Sequence, residues 1–302
     1  MKINFNFNRF SLKCCSLQPA TCFLLLFLAS LATLLAAPLP EPISTTTPAN
    51  QTATQQASSP PASLNLAAFP ADSVEDVVVP VPSEIFSVLD KLGNPNWKAQ
   101  LRVNKTHTPE ERSQIALLLG SVIAEGFVAV EAEDAERVKD LGRDVLSLAE
   151  AVNVRKSVIA RSKSIIQKAD TRDWRGVRTE FDGARNDVQA AMDEMNDRNL
   201  AQLVSLGGWL RGTDVLTSIV DANYTSDGAE LLHQPELVRY FKRSINGMSP
   251  RLRKNTLVLR IDKVLDQITP IIEEKNHVIT REKIQKIHSL TSEIVSLINT
   301  TS

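Results

Sequence analysis

Ile115-Ala-Leu-Leu-Leu-Gly-Ser-Val-Ile-Ala-Glu-Gly-Phe-Val-Ala-Val130 carries two polar side chains, Ser121 and Glu125, in a run that is otherwise apolar on every face. A helix that is apolar all round is buried all round. This stretch therefore predicts a central helix with other helices packed about it, and an all-α, multi-helix bundle for the folded part of the chain. Its length and its two polar interruptions fall short of the ~20 apolar residues of a membrane span. Ala116, Gly120 and Ala124 recur every four residues and form a narrow stripe on which a neighbouring backbone can come close.

A second stretch offers itself as that neighbour. Ser205-Leu-Gly-Gly-Trp-Leu-Arg-Gly-Thr-Asp214 holds three of the chain's 11 glycines beside Trp209 and Arg211. Glycine in a helix interior costs roughly 1 kcal/mol relative to alanine, so such a cluster marks a close approach, a break or a bound group. Packing predicts that Gly208 and Gly212, four apart, receive the Ala116–Gly120–Ala124 stripe. It also predicts that Arg211 pairs with Glu125, because a buried carboxylate must be neutral or partnered. The alternative is a pocket in which Trp209 forms an apolar wall, Arg211 clamps a carboxylate or phosphate, and the amides of Gly207 and Gly208 face the ligand. Core packing accounts for the same residues with fewer assumptions.

Outward from these two stretches the helical period continues. Trp174, Val177, Phe181, Ala184, Val188, Ala191 and Met195 alternate spacings of three and four, the seam of helices packed near +20°. Val138, Leu141, Val145, Leu148 and Val152 make a similar seam, and Ile284, Ile287, Thr291, Ile294 and Ile298 another after a start at Thr280. Thr108-Pro109-Glu110-Glu111 and Ser249-Pro250 read as helix starts, Asn199 with Gln202 as a capping pair, and Pro270 as a kink or stop. The expectation is about eight to ten helices within residues 83–302, with no internal repeat at a fixed period.

The first 82 residues differ in kind. Lys2, Arg9 and Lys13 precede an apolar run from Cys22 to Ala37, which reads as a secretory signal over 1–37. Retention of residues 22–37 as an N-terminal anchor is the alternative. Cys14, Cys15 and Cys22 are the chain's three cysteines, so the folded part holds neither a disulfide nor a cysteine-ligated metal. Residues 38–82 are rich in Pro, Ser, Thr and Ala, as expected of a disordered linker. Within it Val77-Val78-Val79 could form a short strand, although loose packing is the simpler expectation.

Function classes narrow by exclusion. A formal charge of -1 and a pI near 6.5 supply no basic footprint for nucleic acid. Phosphate-loop, dinucleotide, zinc-protease and serine-hydrolase patterns are missing. The four histidines, His107, His233, His277 and His288, lack metal-ligand spacing, and the acids Glu131, Glu133, Asp134 and Glu136 lack the pattern of a calcium loop. No cofactor and no metal are expected. The reading is an exported, stalk-tethered, non-catalytic binding or scaffold protein of the cell envelope or exterior, whose partner is a protein or an envelope component. A receptor for a small anionic ligand near Trp209 and Arg211 comes second and a hydrolytic enzyme third. Membrane contact is expected through an uncleaved N-terminal segment alone.

Overall fold

The computed structural model describes residues 71–74, 77–80, 86, 88–89, 95–102, 109–274 and 279–300, all within the unit Pro60–Ser302. The expected signal segment, most of the expected linker, and His107, Thr108 and His277 lie outside the described residues. From Phe86 onward the described chain is helical. Its elements are α1 (Trp97–Gln100), α2 (Arg112–Glu131), α3 (Ala135–Ala151), α4 (Arg155–Asp170), α5 (Trp174–Glu194), α6 (Arg198–Ala222), α7 (Ser226–Glu230), α8 (Pro235–Gly247), α9 (Pro250–Arg253), α10 (Thr256–Ile272) and α11 (Arg281–Asn299). Ahead of them β1 (Ala71–Val74) pairs antiparallel with β2 (Val77–Pro80), Ala71 opposite Pro80, and β2 runs beside α8. This hairpin falls inside the segment assigned from composition to the linker. Val77–Val79 carried a strand signal, whereas Ala71–Val74 carried none.

Helices α2 to α6 follow one another through four turns of one design. Each turn has three residues, and the middle one is left-handed: Glu133 (φ 52°), Asn153 (φ 69°), Arg172 (φ 55°) and Asn196 (φ 57°). In each, the N–H of the third residue bonds the carbonyl five residues back: Asp134 to Ala129 at 3.0 Å, Val154 to Ala149 at 2.8 Å, Asp173 to Lys168 at 2.9 Å and Asp197 to Met192 at 2.9 Å. This is the Schellman closure, usually built on glycine or asparagine. Two of the four positions are instead Glu and Arg, at a cost of about 1–2 kcal/mol each. Asp134 and Asp173 then cap the following helix, accepting from Arg137 N and Gly176 N. The left-handed residues lie 20, 19 and 24 apart. That irregular spacing conceals the structural repeat from any search at a fixed period.

Turns this tight reverse the chain, so α2, α3, α4 and α5 pack in succession and α5 returns to α2, closing a four-helix ring. Helix α6 lies along α2, in the most extensive helix–helix contact among the described residues, and also touches α5 and α11. Helices α10, α11 and α8 complete the second side. Helix α2 is the centre on which both sides meet, with 17 of its 20 residues buried. It proves long and apolar enough to cross a membrane by length and composition, contrary to expectation. Its neighbours, however, are helices of its own chain.

Several local expectations shift. Helix α2 begins at Arg112 with Glu111 as N-cap and no side-chain capping bond; instead Asn255 Nδ2 donates to Glu111 Oε2 at 2.7 Å. Asn255 also divides the helix expected from Ser249 onward, because its side chain accepts from Leu257 N and Val258 N and so starts α10 afresh. Pro270 sits within the last turn of α10, which ends two residues later at Ile272. In α5 the seam holds through Val188 and then passes to Met192, fully buried, while Met195 is 42% exposed. Met195 is the C-cap and belongs to the turn, not to the helix face. Asp197, not Asn199, occupies the N-cap of α6.

Candidate functional site

The glycine-rich stretch lies at the middle of α6, which runs unbroken from Arg198 to Ala222. A Cβ built on Gly120 would lie 1.8 Å from Val204 O, and one on Gly207 would lie 2.0 Å from Leu117 O. Both glycines are therefore required by backbone contact between α2 and α6. The expected partners were Gly208 and Gly212. Gly208 is at the contact, since a Cβ on Gly120 would also lie 2.8 Å from Gly208 N and one on Gly208 would lie 3.4 Å from Gly120 O; Gly212 is not, because a Cβ there meets nothing within 4 Å, and Gly207 takes its place. Val204, Gly207 and Gly208, at i, i+3 and i+4, share the face turned to α2, whereas Gly212 has drifted about 80° from Val204.

On one side of this contact lies a buried ionic network. Arg211 is 2% exposed; its Nε donates to Glu125 Oε2 at 2.7 Å, its Nη1 to Asp214 Oδ2 at 2.6 Å, and its Nη2 to Gln100 O. Arg102 adds a second guanidinium, 3.0 Å from Asp214 Oδ2, and its backbone N–H donates to Glu125 Oε1 at 2.6 Å. Two buried carboxylates thus face two guanidiniums. His288 Nδ1 on α11 lies 3.4 Å from Asp214 Oδ1, and Arg102 Nη2 donates to Ser292 Oγ at 2.7 Å. The structure brings Glu125 and Arg211 together as their chemistry required, and with them Asp214 and Arg102. Asp214 was legible as an acid three residues after Arg211 on the same helix face. Arg102, 112 residues before Asp214 in the chain, had no local signal.

On the other side of the contact a cavity of ≈ 90 Å³ opens between α2, α5, α6 and the α7–α8 segment. Ile123, Gly208, Trp209, Gly212, Tyr240 and Phe241 form its apolar walls. Trp209 and Phe241 lie 5.3 Å apart between ring centres, and Phe241 and Tyr240 likewise 5.3 Å. Gly208, Trp209 and Gly212 are half-buried, so the cavity reaches the surface. Arg185 and Gln189, one turn apart on α5, line its polar edge with Ser205. Gln189 Nε2 donates to Ser205 Oγ at 2.7 Å, and Ser205 Oγ donates to Ala201 O at 3.2 Å.

No family model, curated protein or solved structure matches this chain. The geometry therefore has to carry the functional reading alone.

Three features of the pocket expected from sequence are placed as follows. Trp209 and Gly208 line the cavity. Arg211 does not, because its guanidinium is taken up by Glu125, Asp214 and Gln100. The amides of Gly207 and Gly208 lie in mid-helix, where each N–H is used by the carbonyl four residues earlier, so neither is offered to an anion. Sequence reasoning missed Arg185 and Gln189. They sit at half-buried positions of α5, each next to a seam residue (Ala184 and Val188), and nothing in the seam distinguishes a cavity-facing polar residue from a solvated one.

Proposed function

We propose that this chain is an exported, stalk-tethered helical binding protein, non-catalytic, whose ligand is a small and largely apolar molecule held in the cavity beside Trp209. Export and the tether rest on the order of residues 1–37 and the composition of 38–82. The observation that carries the ligand site is Gly212. Glycine there costs the helix about 1 kcal/mol relative to alanine, and neither a close neighbour nor a positive φ requires it. Alanine at 212 would relieve this cost. The glycine at that position leaves the cavity clear beside it, room that an occupant from outside the fold can use.

Aromatic walls and a surface opening suit an apolar body that enters and leaves. Binding of uncharged indole, of a size that a cavity of ≈ 90 Å³ can take, followed by isothermal titration calorimetry, tests this. Saturable binding by the native protein, abolished in Gly212→Leu at unchanged or raised melting temperature, is the expected result. Equal binding by both proteins, or binding by neither, would refute it.

A further inference from the structure

We infer that the occupant is a small, uncharged aromatic molecule bearing one N–H or O–H, which pairs with the Thr213 hydroxyl while the ring lies against Trp209 and Phe241. This rests on the cavity being the ligand site and names the ligand's one polar contact there.

Thr213 differs from the other threonines inside helices. A threonine in a helix interior can bond the carbonyl four residues back through its hydroxyl. Thr179, Thr217, Thr269 and Thr291 all do so, to Arg175 O at 3.1 Å, Thr213 O at 2.7 Å, Leu265 O at 2.6 Å and Ile287 O at 3.0 Å. For Thr213 the corresponding acceptor is Trp209 O, and that bond is not made; nor does the hydroxyl have another partner among the described residues. The residue is nevertheless only 6% exposed. It shares a face of α6 with Trp209, Gly212 and Leu216, and all four line the cavity. The cavity is therefore the space in which this hydroxyl can find a partner.

The other polar groups of the lining are already engaged. Gln189 donates to Ser205, Ser205 to Ala201 O, and Gln234 Nε2 to Leu231 O at 2.8 Å. Arg185 and Tyr240 have partners within the fold. Among the described residues, the Thr213 hydroxyl is thus the one hydroxyl, amide or guanidinium group of the lining that is left over. A buried hydroxyl without a partner is costly, and a ligand group that bonds it removes the cost. Because a hydroxyl both donates and accepts, it suits an N–H or an O–H.

Charge and shape narrow the rest of the molecule. An ionised ligand would lose its hydration on entry and meet no uncommitted counter-charge in this lining. Trp209, Phe241 and Tyr240, already in contact with one another, present an aromatic wall on which a further ring packs offset or edge-on.

The test is isothermal titration calorimetry with indole and with indene, which share a fused-ring frame and differ in the N–H. The native protein is expected to bind both. Thr213→Val, which replaces the hydroxyl by a methyl group, should weaken indole about three- to tenfold and leave indene unchanged. Thr213→Ser keeps the hydroxyl and should retain most of the affinity for indole. Melting temperatures within a few degrees of native confirm that the variants fold. Unchanged indole affinity in Thr213→Val, an equal loss of indole and indene, or indene unbound by a native protein that binds indole overturns the Thr213 assignment and leaves the cavity standing. Binding of neither compound by the native protein defeats the cavity reading itself.

Discussion

Arg211 and Gly212 are neighbours in the chain and border opposite kinds of interior. Arg211 enters a network in which two guanidiniums meet two buried carboxylates. Gly212 borders open space. The difference teaches where function can reside. A cation whose three nitrogens already have partners in the fold has little left for a ligand, whereas an unfilled apolar volume is one the fold gains nothing by keeping. The residue that looks most chemical in the sequence is thus structural, and the residue with no side chain marks the proposed site.

The largest effect should come from the charged side. Arg211→Met leaves Glu125 and Asp214 buried together without their central cation, and should lower unfolding free energy by roughly 3–5 kcal/mol. Denaturant unfolding would measure this, and adding Glu125→Gln to Arg211→Met should recover part of the loss. A folded Arg211→Met protein of native stability would break the contrast between the two sides.

The helix contact between them ranks second. Gly207→Ala and Gly120→Ala place a methyl group against a facing backbone oxygen, at 2.0 Å and 1.8 Å before relaxation. The two helices must separate, at about 1–3 kcal/mol or more. On the cavity side the sign reverses. Gly212→Ala should stabilise the protein by up to about 1 kcal/mol, because it gains helix propensity without a clash. Thermal unfolding of the three variants side by side would sharpen the comparison, since the same substitution in one glycine cluster should give opposite outcomes.

The smallest effect belongs to a network at the edge, which calibrates the buried one. Burial raises the Glu180 carboxyl, yet hydrogen bonds from Arg161, Ser164 and Lys168 outweigh it and hold the group below its usual value. A carboxylate depressed in the folded state stabilises above its unfolded pKa, and that contribution is lost as pH falls through the folded one. Melting temperatures between neutral pH and about pH 3 should therefore fall less steeply for Glu180→Gln than for the native protein. Parallel curves would show that the tie between α4 and α5 contributes nothing measurable.

How much of this was legible depended on whether the signal was local. The burial of α2 followed from Ile115–Val130, and the pairing of Glu125 with Arg211 from the impossibility of leaving either alone in a core. The left-handed turns were hidden because Glu133 and Arg172 stand where glycine or asparagine would have announced them. Gly208 was legible at the contact, while the choice of Gly207 over Gly212 turned on helix phase, which a spacing of four residues does not determine. Of the cavity, Trp209 and Gly208 were legible as an alternative reading and its outline was not. A sequence lists the side chains that fill space, and an unfilled volume depends on how separate segments come to rest against one another.

The most direct test is a crystal structure of the native protein grown with indole. Electron density for indole is expected against Trp209 and Phe241, in contact with Gly212, while Arg211 keeps its bonds to Glu125 and Asp214. A cavity closed by inward rotation of Trp209 and Phe241, or indole bound elsewhere, would contradict it.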